Sequence, residues 1–239
     1  MQAHTELRSG LDALKREVLA ANVGVSTSGL AVLTWGNASG LDPETGYVVI
    51  KGSGVEYDSM TVDDLAVVDL DGRPVEGTAK PSTDLPVHLE LYRNFPGIRG
   101  VVHTHSPYAT VWAQLGSDIP CYGTTHADYF PGPVPCTRLM GAEELGDDYE
   151  QKTGQVIVEA FRDRDPQVMR AALVRFHGPF VWGNSPLDAL HNAVVLEYVA
   201  AQAYRTAALG EGAEPQIGHD LMERHYERKF GKDAYYGQR

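Results

Sequence analysis

The chain has 239 residues and carries 20 Lys and Arg against 32 Asp and Glu, so its formal charge is 20 − 32 = −12 with histidine neutral. This length suits a single domain, and 43% apolar against 22% charged residues is enough to build a core, which argues against a disordered chain. The acidic balance argues against a nucleic acid or an anionic membrane as partner, because either would need a basic face.

The chain contains no run of about 18 apolar residues, and its opening MQAHTELRSG lacks the apolar core of a signal peptide. We therefore expect a cytoplasmic protein without a membrane span. Cys121 and Cys136 form no CxxC motif, and we expect both thiols to be reduced rather than paired.

The first half of the chain is predicted to begin with a helix and continue with strands. Apolar residues at spacings of four, three and four predict an amphipathic helix that ends near Gly24. Apolar runs bounded by turn residues predict strands over 30–35, 46–51 and 65–70. A further helix is predicted to begin near Asp84 and Pro86, a possible N-cap and a residue suited to a first turn.

The second half alternates strands and helices. The predicted elements begin with a strand over 98–105, a helix from Pro107 and short strands around Cys121 and 134–139. A helix from about Tyr149 to Phe161 and a strand pair over 172–183 follow. The chain then forms a long helix that is capped by Ser185 and ends at Gly210, and a last helix near 219–230. Because no repeat or linker divides the chain, we predict a single α/β domain over residues 1–239.

His103 and His105 end the apolar run IRGVVHTH. On a strand the side-chain period is two, so both imidazoles can point to one metal ion. His177 lies on a predicted strand just before Gly178-Pro179, where a turn would bring it to the edge of the sheet, and is a third candidate. Three imidazoles with one open position are typical of catalytic zinc. The same residue types also accept other divalent metals. The alternative for an HxH pair is an ordinary cross-strand contact.

Small and hydroxyl residues cluster in three loops that could hold a phosphate. Small residues let backbone N–H groups approach an oxyanion, and hydroxyls supply further donors. Each loop alone is equally typical of an ordinary turn. The residues are Gly36 and Asn37, then Lys51, Ser53 and Gly54, and finally Ser82 and Thr83.

The candidate acids and bases are Asp84, His126, Asp128 and the pair Tyr235 and Tyr236. Proton transfer by Asp or Tyr at neutral pH requires a metal or a buried setting, because their ordinary pKa values are about 4 and 10. For the tyrosine pair, packing of the C-terminal tail is the simpler interpretation.

Seven motifs resemble, in order, those of the epimerases of the class II (zinc-dependent) aldolase/epimerase family, and the match covers nearly the whole chain from about Leu11 onward. They are LTWGN (33–37), IKGSGV (50–55), KPSTD (80–84), VVHTHS (101–106), GTTHADYF (123–130), HGPFVWG (177–183) and AYYGQ (234–238). The resemblance implies a three-layer α/β/α fold with a mainly antiparallel central sheet. It also implies a homotetramer with active sites between neighbouring subunits.

The resemblance assigns roles to individual residues. It implies Zn²⁺ on His103, His105 and His177 with Asp84 beside the metal, and Asp128 as one acid/base with Tyr236 of the adjacent subunit as the other. The implied phosphate ligands are Gly36, Asn37, Ser53, Gly54, Ser82 and Thr83. The further implied substrate contacts are Lys51, Thr124 and His225.

The implied activity is epimerisation of L-ribulose 5-phosphate to D-xylulose 5-phosphate at C4, by metal-assisted retro-aldol cleavage and re-addition. One alternative is a sugar-phosphate aldolase of the L-fuculose 1-phosphate type. Aldolases of the family carry Glu at the position of Asp84, so the shorter side chain favours the epimerase. The other alternative is a non-catalytic binding domain like the adducin head, which the histidine triad opposes.

Overall fold

The structure is a computed structural model that describes residues 2–210 and 217–236, with side chains from Gly10 onward. Its strands are β1 Asn37–Leu41, β2 Val48–Lys51, β3 Leu65–Val68, β4 Pro74–Glu76, β5 Gly100–His103, β6 Ala171–Val174 and β7 Gly178–Gly183. Its α-helices are α1 Gln2–Thr27, α2 Leu85–Asn94, α3 Pro107–Leu115, α4 Thr124–Ala127, α5 Tyr149–Ala160, α6 Pro186–Leu209 and α7 His219–Phe230. Short 3₁₀ helices cover Tyr57–Ser59, Val62–Asp64 and Ala142–Glu144.

The seven strands form one sheet in the order β4-β3-β2-β1-β5-β7-β6, and every neighbouring pair is antiparallel. Helices α1 and α6 pack on one face with α3 against α6, whereas α2 and α5 pack together on the other. The predicted three-layer α/β/α architecture is therefore confirmed.

Glycines let α6 approach the sheet closely. A Cβ atom at Gly100 would collide with the backbone of Ser185 and Pro186, where α6 begins. A Cβ atom at Gly183 would lie 2.7 Å from the backbone nitrogen of Ala189. Ser185 caps the helix as predicted, since its Oγ accepts a hydrogen bond of 3.2 Å from the Asp188 backbone N–H.

The long helix also positions the chain that follows β5. The Glu197 carboxylate on α6 accepts hydrogen bonds from the backbone N–H groups of Tyr108 (2.7 Å) and Ala109 (2.9 Å), in the first turn of α3. Negative charge is favourable at a helix N-terminus. Because α3 begins two residues after His105, this contact anchors one side of the histidine motif.

Three strand predictions were wrong. Residues 30–35 form turns, and the strand begins at Asn37, because Val32, Leu33 and Trp35 are 61%, 69% and 53% exposed instead of packing into the sheet. The predicted strands around Cys121 and 134–139 are reduced to isolated bridges, Ile119 with Val134 and Cys136 with Leu173.

The 172–183 prediction of a strand pair is confirmed, but His177 lies in the turn between β6 and β7 and not on a strand. The first helix continues to Thr27, beyond the predicted end near Gly24. Both cysteines are free, as expected. Within 2–210 and 217–236, no helix is long and apolar enough to cross a membrane.

Candidate functional site

Three histidines converge at one end of the central strands. His103 is the last residue of β5 and is 1% exposed, His105 follows beyond the strand end, and His177 enters from the turn before β7. One ring nitrogen from each lies within 4.8 Å of the others, and the Nε2 atoms of His103 and His105 are 3.1 Å apart. The structure thus brings together all three predicted metal ligands.

The hydrogen bonding of His103 leaves the correct nitrogen free for a metal. Its Nδ1 lies 2.9 Å from the Pro179 carbonyl oxygen. A carbonyl can only accept, so Nδ1 carries a proton, and in the neutral tautomer that this bond selects it is Nε2 that has the lone pair for a metal. The Phe180 ring, which stacks on the imidazole at 4.1 Å between centroids, fixes the orientation of the ring.

The electrostatics of the triad favour neutral imidazoles, the form that ligates a metal. Burial, together with the neighbouring His103 and His105, lowers the pKa of His177 to about 3. Burial also lowers the pKa of His105. Two of the three imidazoles are thus biased towards the neutral form, and the convergence of three ring nitrogens fits a zinc-like divalent cation.

Asp84 lies beside the triad, at the N-cap position of α2. Its Oδ2 accepts a 2.6 Å hydrogen bond from Asn37 Nδ2, which also donates to Ser82 Oγ at 3.1 Å. Burial acts to raise the pKa of Asp84, but the nearby histidines, His103 foremost, and the Asn37 hydrogen bond outweigh it, and the pKa is lowered. Asp84 thus connects the triad to the phosphate loops, although its oxygens are not among the mutually close ligand atoms.

A cavity of about 400 Å³ contains the triad, Asp84 and every residue of the three predicted phosphate loops. Two of these loops are joined by backbone hydrogen bonds, from Ser53 N–H to the Lys80 carbonyl (2.8 Å) and from Ser82 N–H to the Lys51 carbonyl (2.9 Å). The remaining lining residues are Thr34, Trp35, Gly52 and Tyr149. Loops separated in sequence therefore converge into one polar cradle beside the candidate metal centre.

Lys51 supplies a buried positive charge to this cradle. The residue is 2% exposed, and its Nζ donates to the Thr34 carbonyl at 3.3 Å. Burial lowers the pKa of Lys51, and the carboxylate of Glu56 partly opposes that shift. An ammonium with few protein acceptors is suited to receive a phosphate oxygen.

The predicted acid/base residues form a second cluster. Asp128 follows α4, and its carboxylate accepts hydrogen bonds from Arg228 on α7, Nε to Oδ1 at 3.1 Å and the second guanidinium nitrogen to Oδ2 at 2.9 Å. His225 Nδ1 lies 3.0 Å from the same Oδ1. The Arg228 guanidinium stands 4.8 Å from the ring centroid of Tyr236. Asp128, His225 and Tyr236 therefore gather around one arginine.

The two clusters lie apart within one chain. Among the described residues, none of those lining the triad cavity belongs to α4 or α7. Thr124, the other predicted substrate residue, lines a different cavity of about 600 Å³ between α4 and α6. Within one chain, the residues predicted to bind metal and phosphate thus form one group, and the predicted acid/base residues form another.

Sequence reasoning missed Trp35 and Tyr149 as lining residues and Arg228 as the partner of Asp128. Trp35 stood inside the LTWGN motif and could have been noticed there. Tyr149 and Arg228 carry no local pattern, because only the packing of α5 and α7 brings them to these positions.

Comparison with known proteins agrees with this geometry. Residues 16–204 match the family described as Class II Aldolase and Adducin N-terminal domain. The chain is 50% identical over 226 residues to the L-ribulose-5-phosphate 4-epimerase UlaF of Salmonella paratyphi A (strain ATCC 9150 / SARB42), which covers 95% of this chain and 99% of the relative. The UlaF protein of Salmonella typhi matches equally, at 50% identity over 95% of this chain and 99% of its own length.

Solved structures show the same fold. An L-fuculose 1-phosphate aldolase superposes with a TM-score of 0.76 at 24% identity, over 90% of this chain and 95% of its own. The l-fuculose-1-phosphate aldolase from Thermus thermophilus gives a TM-score of 0.63 at 27% identity, over 85% of this chain and 98% of its own. The protein belongs to the class II aldolase and adducin N-terminal domain family.

Proposed function

We propose that this protein epimerises L-ribulose 5-phosphate at C4 to give D-xylulose 5-phosphate, by breaking and re-forming the C3–C4 bond. The observation that carries the proposal is the single cavity that joins a histidine triad to a phosphate cradle. The 50% identity to L-ribulose-5-phosphate 4-epimerases over 95% of the chain supports this substrate.

The proposed cofactor is one Zn²⁺ per subunit, on His103, His105 and His177 with Asp84 beside it. A divalent cation there supplies Lewis acidity towards a sugar carbonyl and its neighbouring hydroxyl. Burial lowers the pKa values of His105 and His177 and so favours their neutral forms, and the bond to the Pro179 carbonyl fixes His103. Asp84 is held by Asn37 at the boundary between the metal and phosphate parts of the cavity.

The phosphate cradle holds the substrate at its C5 end. Donors that line the cradle include the hydroxyls of Ser53, Ser82 and Thr83 and the Lys51 ammonium, beside the backbone N–H groups of Gly36 and Gly54 and the Asn37 amide. Directed donors explain how a chain of net charge −12 can bind an anion. Anchoring the phosphate keeps the two-carbon fragment, glycolaldehyde phosphate, in the site after the C3–C4 bond breaks.

Epimerisation needs proton transfer at the C4 oxygen on opposite faces of the substrate. One group accepts the C4 hydroxyl proton as the bond breaks, and after the aldehyde rotates the other returns a proton to the re-formed C4 oxygen. We assign these roles to the Asp128 carboxylate and the Tyr236 hydroxyl. Arg228 and His225 fix the direction of the carboxylate.

The proposed assembly is a homotetramer with active sites between subunits. The separation of the two groups of residues within one chain supports active sites between subunits, because each group would then be a half-site that meets its complement on a neighbouring copy. The number of four subunits is what the family resemblance implies. A cytoplasmic location stays a prediction from the sequence.

The experiment that tests this function is NMR analysis of the products formed by zinc-loaded protein from L-ribulose 5-phosphate. We expect D-xylulose 5-phosphate without free fragments. Release of two- and three-carbon fragments would instead favour an aldolase, the activity named for the structurally similar L-fuculose 1-phosphate aldolases. A protein that takes up no stoichiometric zinc and converts nothing would favour an adducin-like binding role.

A further inference from the structure

Tyr57 lies behind the phosphate loop, at the start of a 3₁₀ helix, and is 5% exposed. Its hydroxyl donates towards two consecutive backbone carbonyls, that of Trp35 at 2.9 Å and that of Gly36 at 2.8 Å. Burial raises the pKa of the hydroxyl, so it remains a donor across the working pH range. Two adjacent carbonyls that turn towards one buried hydroxyl define the course of the loop.

The loop is also confined from its other side. Gly36 adopts a φ of +82°, and a Cβ atom there would lie 2.8 Å from the His103 carbonyl oxygen and 3.5 Å from the Tyr57 hydroxyl. The next residue, Asn37, pairs with His103 across β1 and β5. The loop therefore passes between the Tyr57 hydroxyl and the strand that carries the metal ligand.

The Tyr57 ring makes a second contact, with the buried ammonium of Lys51. The Lys51 Nζ lies 4.9 Å from the ring centroid and donates to the Thr34 carbonyl, one residue before Trp35. A cation over an aromatic face is stabilised, and more so when it is desolvated. Tyr57 thus contacts the loop through its hydroxyl and the cradle's cation through its ring.

We infer that Tyr57 is a positioning residue for the phosphate subsite, holding the Thr34–Gly36 loop and the Lys51 ammonium in the arrangement that receives the phosphate. Tyr57 does not itself line the cavity, so it acts through the groups that do. The inference rests on the proposed function for the identity of the substrate, but its central claim concerns affinity for phosphate.

The test compares Tyr57→Phe with the wild type as metal-loaded protein. Phenylalanine keeps the ring over Lys51 and removes only the hydroxyl. We expect the dissociation constant for inorganic phosphate, measured by ³¹P NMR titration, to rise about tenfold, the scale of a lost buried hydrogen bond. For L-ribulose 5-phosphate we expect KM to rise by a similar factor, with kcat within about twofold and the zinc content unchanged.

Unphosphorylated L-ribulose separates a positioning role from a general structural one. If Tyr57 acts on the phosphate subsite, Tyr57→Phe leaves kcat/KM for this poor substrate unchanged while lowering kcat/KM for the phosphorylated sugar. Equal losses for both substrates, or an unchanged phosphate dissociation constant, would overturn the inference. The phosphate titration needs no turnover, so it remains decisive even if the protein proves not to be an epimerase.

Tyr92→Phe is the matched control. Tyr92 is also a buried tyrosine, and its hydroxyl bonds to Ser39 Oγ at 2.7 Å, away from the loop. We expect it to leave the phosphate dissociation constant unchanged. If Tyr92→Phe raised the phosphate dissociation constant as much as Tyr57→Phe, the loss of affinity would be a general effect of removing a buried hydroxyl. That result would also overturn the inference.

Discussion

The carboxylate of Asp128 and the guanidinium of Arg228 form a bidentate pair between residues 100 apart in sequence, with N–O distances of 3.1 and 2.9 Å. This pair joins the end of α4 to the C-terminal helix α7, on which His225 faces the same carboxylate. Bidentate pairing fixes orientation as well as distance. The proposed acid/base half-site is therefore organised around one arginine, at a distance from the histidine triad.

Tyr236→Phe tests the second acid/base group. The variant should keep its zinc, because the tyrosine is not one of the three proposed metal ligands, and should lose about two to four powers of ten in turnover, the usual scale for an acid/base group. The measurement is kcat with L-ribulose 5-phosphate beside metal analysis. Near-normal turnover would remove Tyr236 from the mechanism.

His103→Ala tests the metal centre. Removing the buried ligand whose Nδ1 is already bonded to Pro179 should abolish stoichiometric zinc and activity together. His191→Ala is the control, since this histidine bonds to the Tyr129 hydroxyl instead of facing the triad, and it should retain zinc. Elemental analysis of both variants checks the prediction, and full zinc occupancy in His103→Ala would contradict the assigned site.

Mixing two inactive variants tests whether the half-sites belong to different subunits. Combining Tyr236→Phe with His103→Ala subunits should restore part of the activity, because some interfaces then pair an intact triad with an intact tyrosine. Subunit exchange is verified by native mass spectrometry. Absence of recovery after verified exchange would indicate that each active site is built within one chain.

The stability of the fold should decrease at acidic pH through His126. Burial lowers its pKa from 6.5 to about 4, although its hydrogen bond to Gly132 partly opposes that shift. Between pH 4 and 6.5 the His126 side chain is therefore protonated in the unfolded chain but not in the folded one. The contribution of neutral His126 to the free energy of unfolding is complete above pH 6.5 and is lost as the pH falls towards 4. At pH 4 the resulting decrease in the free energy of unfolding should approach about 3 kcal/mol.

The measurement is the free energy of unfolding by urea at a series of pH values, for wild type and His126→Gln. The variant should show a shallower decline with acidification between pH 6.5 and 4. Parallel curves for the two proteins would show that His126 titrates normally in the folded state.

Gly100→Ala tests the close packing of α6 on the sheet. The added methyl group would collide with backbone atoms of Ser185 and Pro186, which cannot move aside as a side chain could. We therefore expect the free energy of unfolding to fall by about 1–3 kcal/mol or more. Gly10→Ala, on an exposed turn of α1 with open space around its Cβ, should instead stabilise by about 0.5–1 kcal/mol. Chemical denaturation measures the free energy of unfolding of both variants. A change of the same sign and size in the two variants would contradict the packing argument.

Local chemistry made much of the fold predictable from the sequence. The Ser185-Pro186 start and the final helix were recognised because caps and helical periodicity depend on neighbouring residues. The run over 30–35 was wrongly predicted as a strand, since apolar residues indicate a strand only if they are buried, and here three remain exposed. Burial is a property of the tertiary structure.

The candidate metal and phosphate residues were recognisable because their types and motifs are local: an HxH pair, a histidine before Gly-Pro, and loops of small and hydroxyl residues. Their convergence into one cavity was decided by the tertiary structure, which places β1, β5 and the turn before β7 side by side. Tertiary packing alone brought Arg228 to Asp128 and Tyr57 behind Gly36, because no sequence spacing encodes a contact between distant helices and loops.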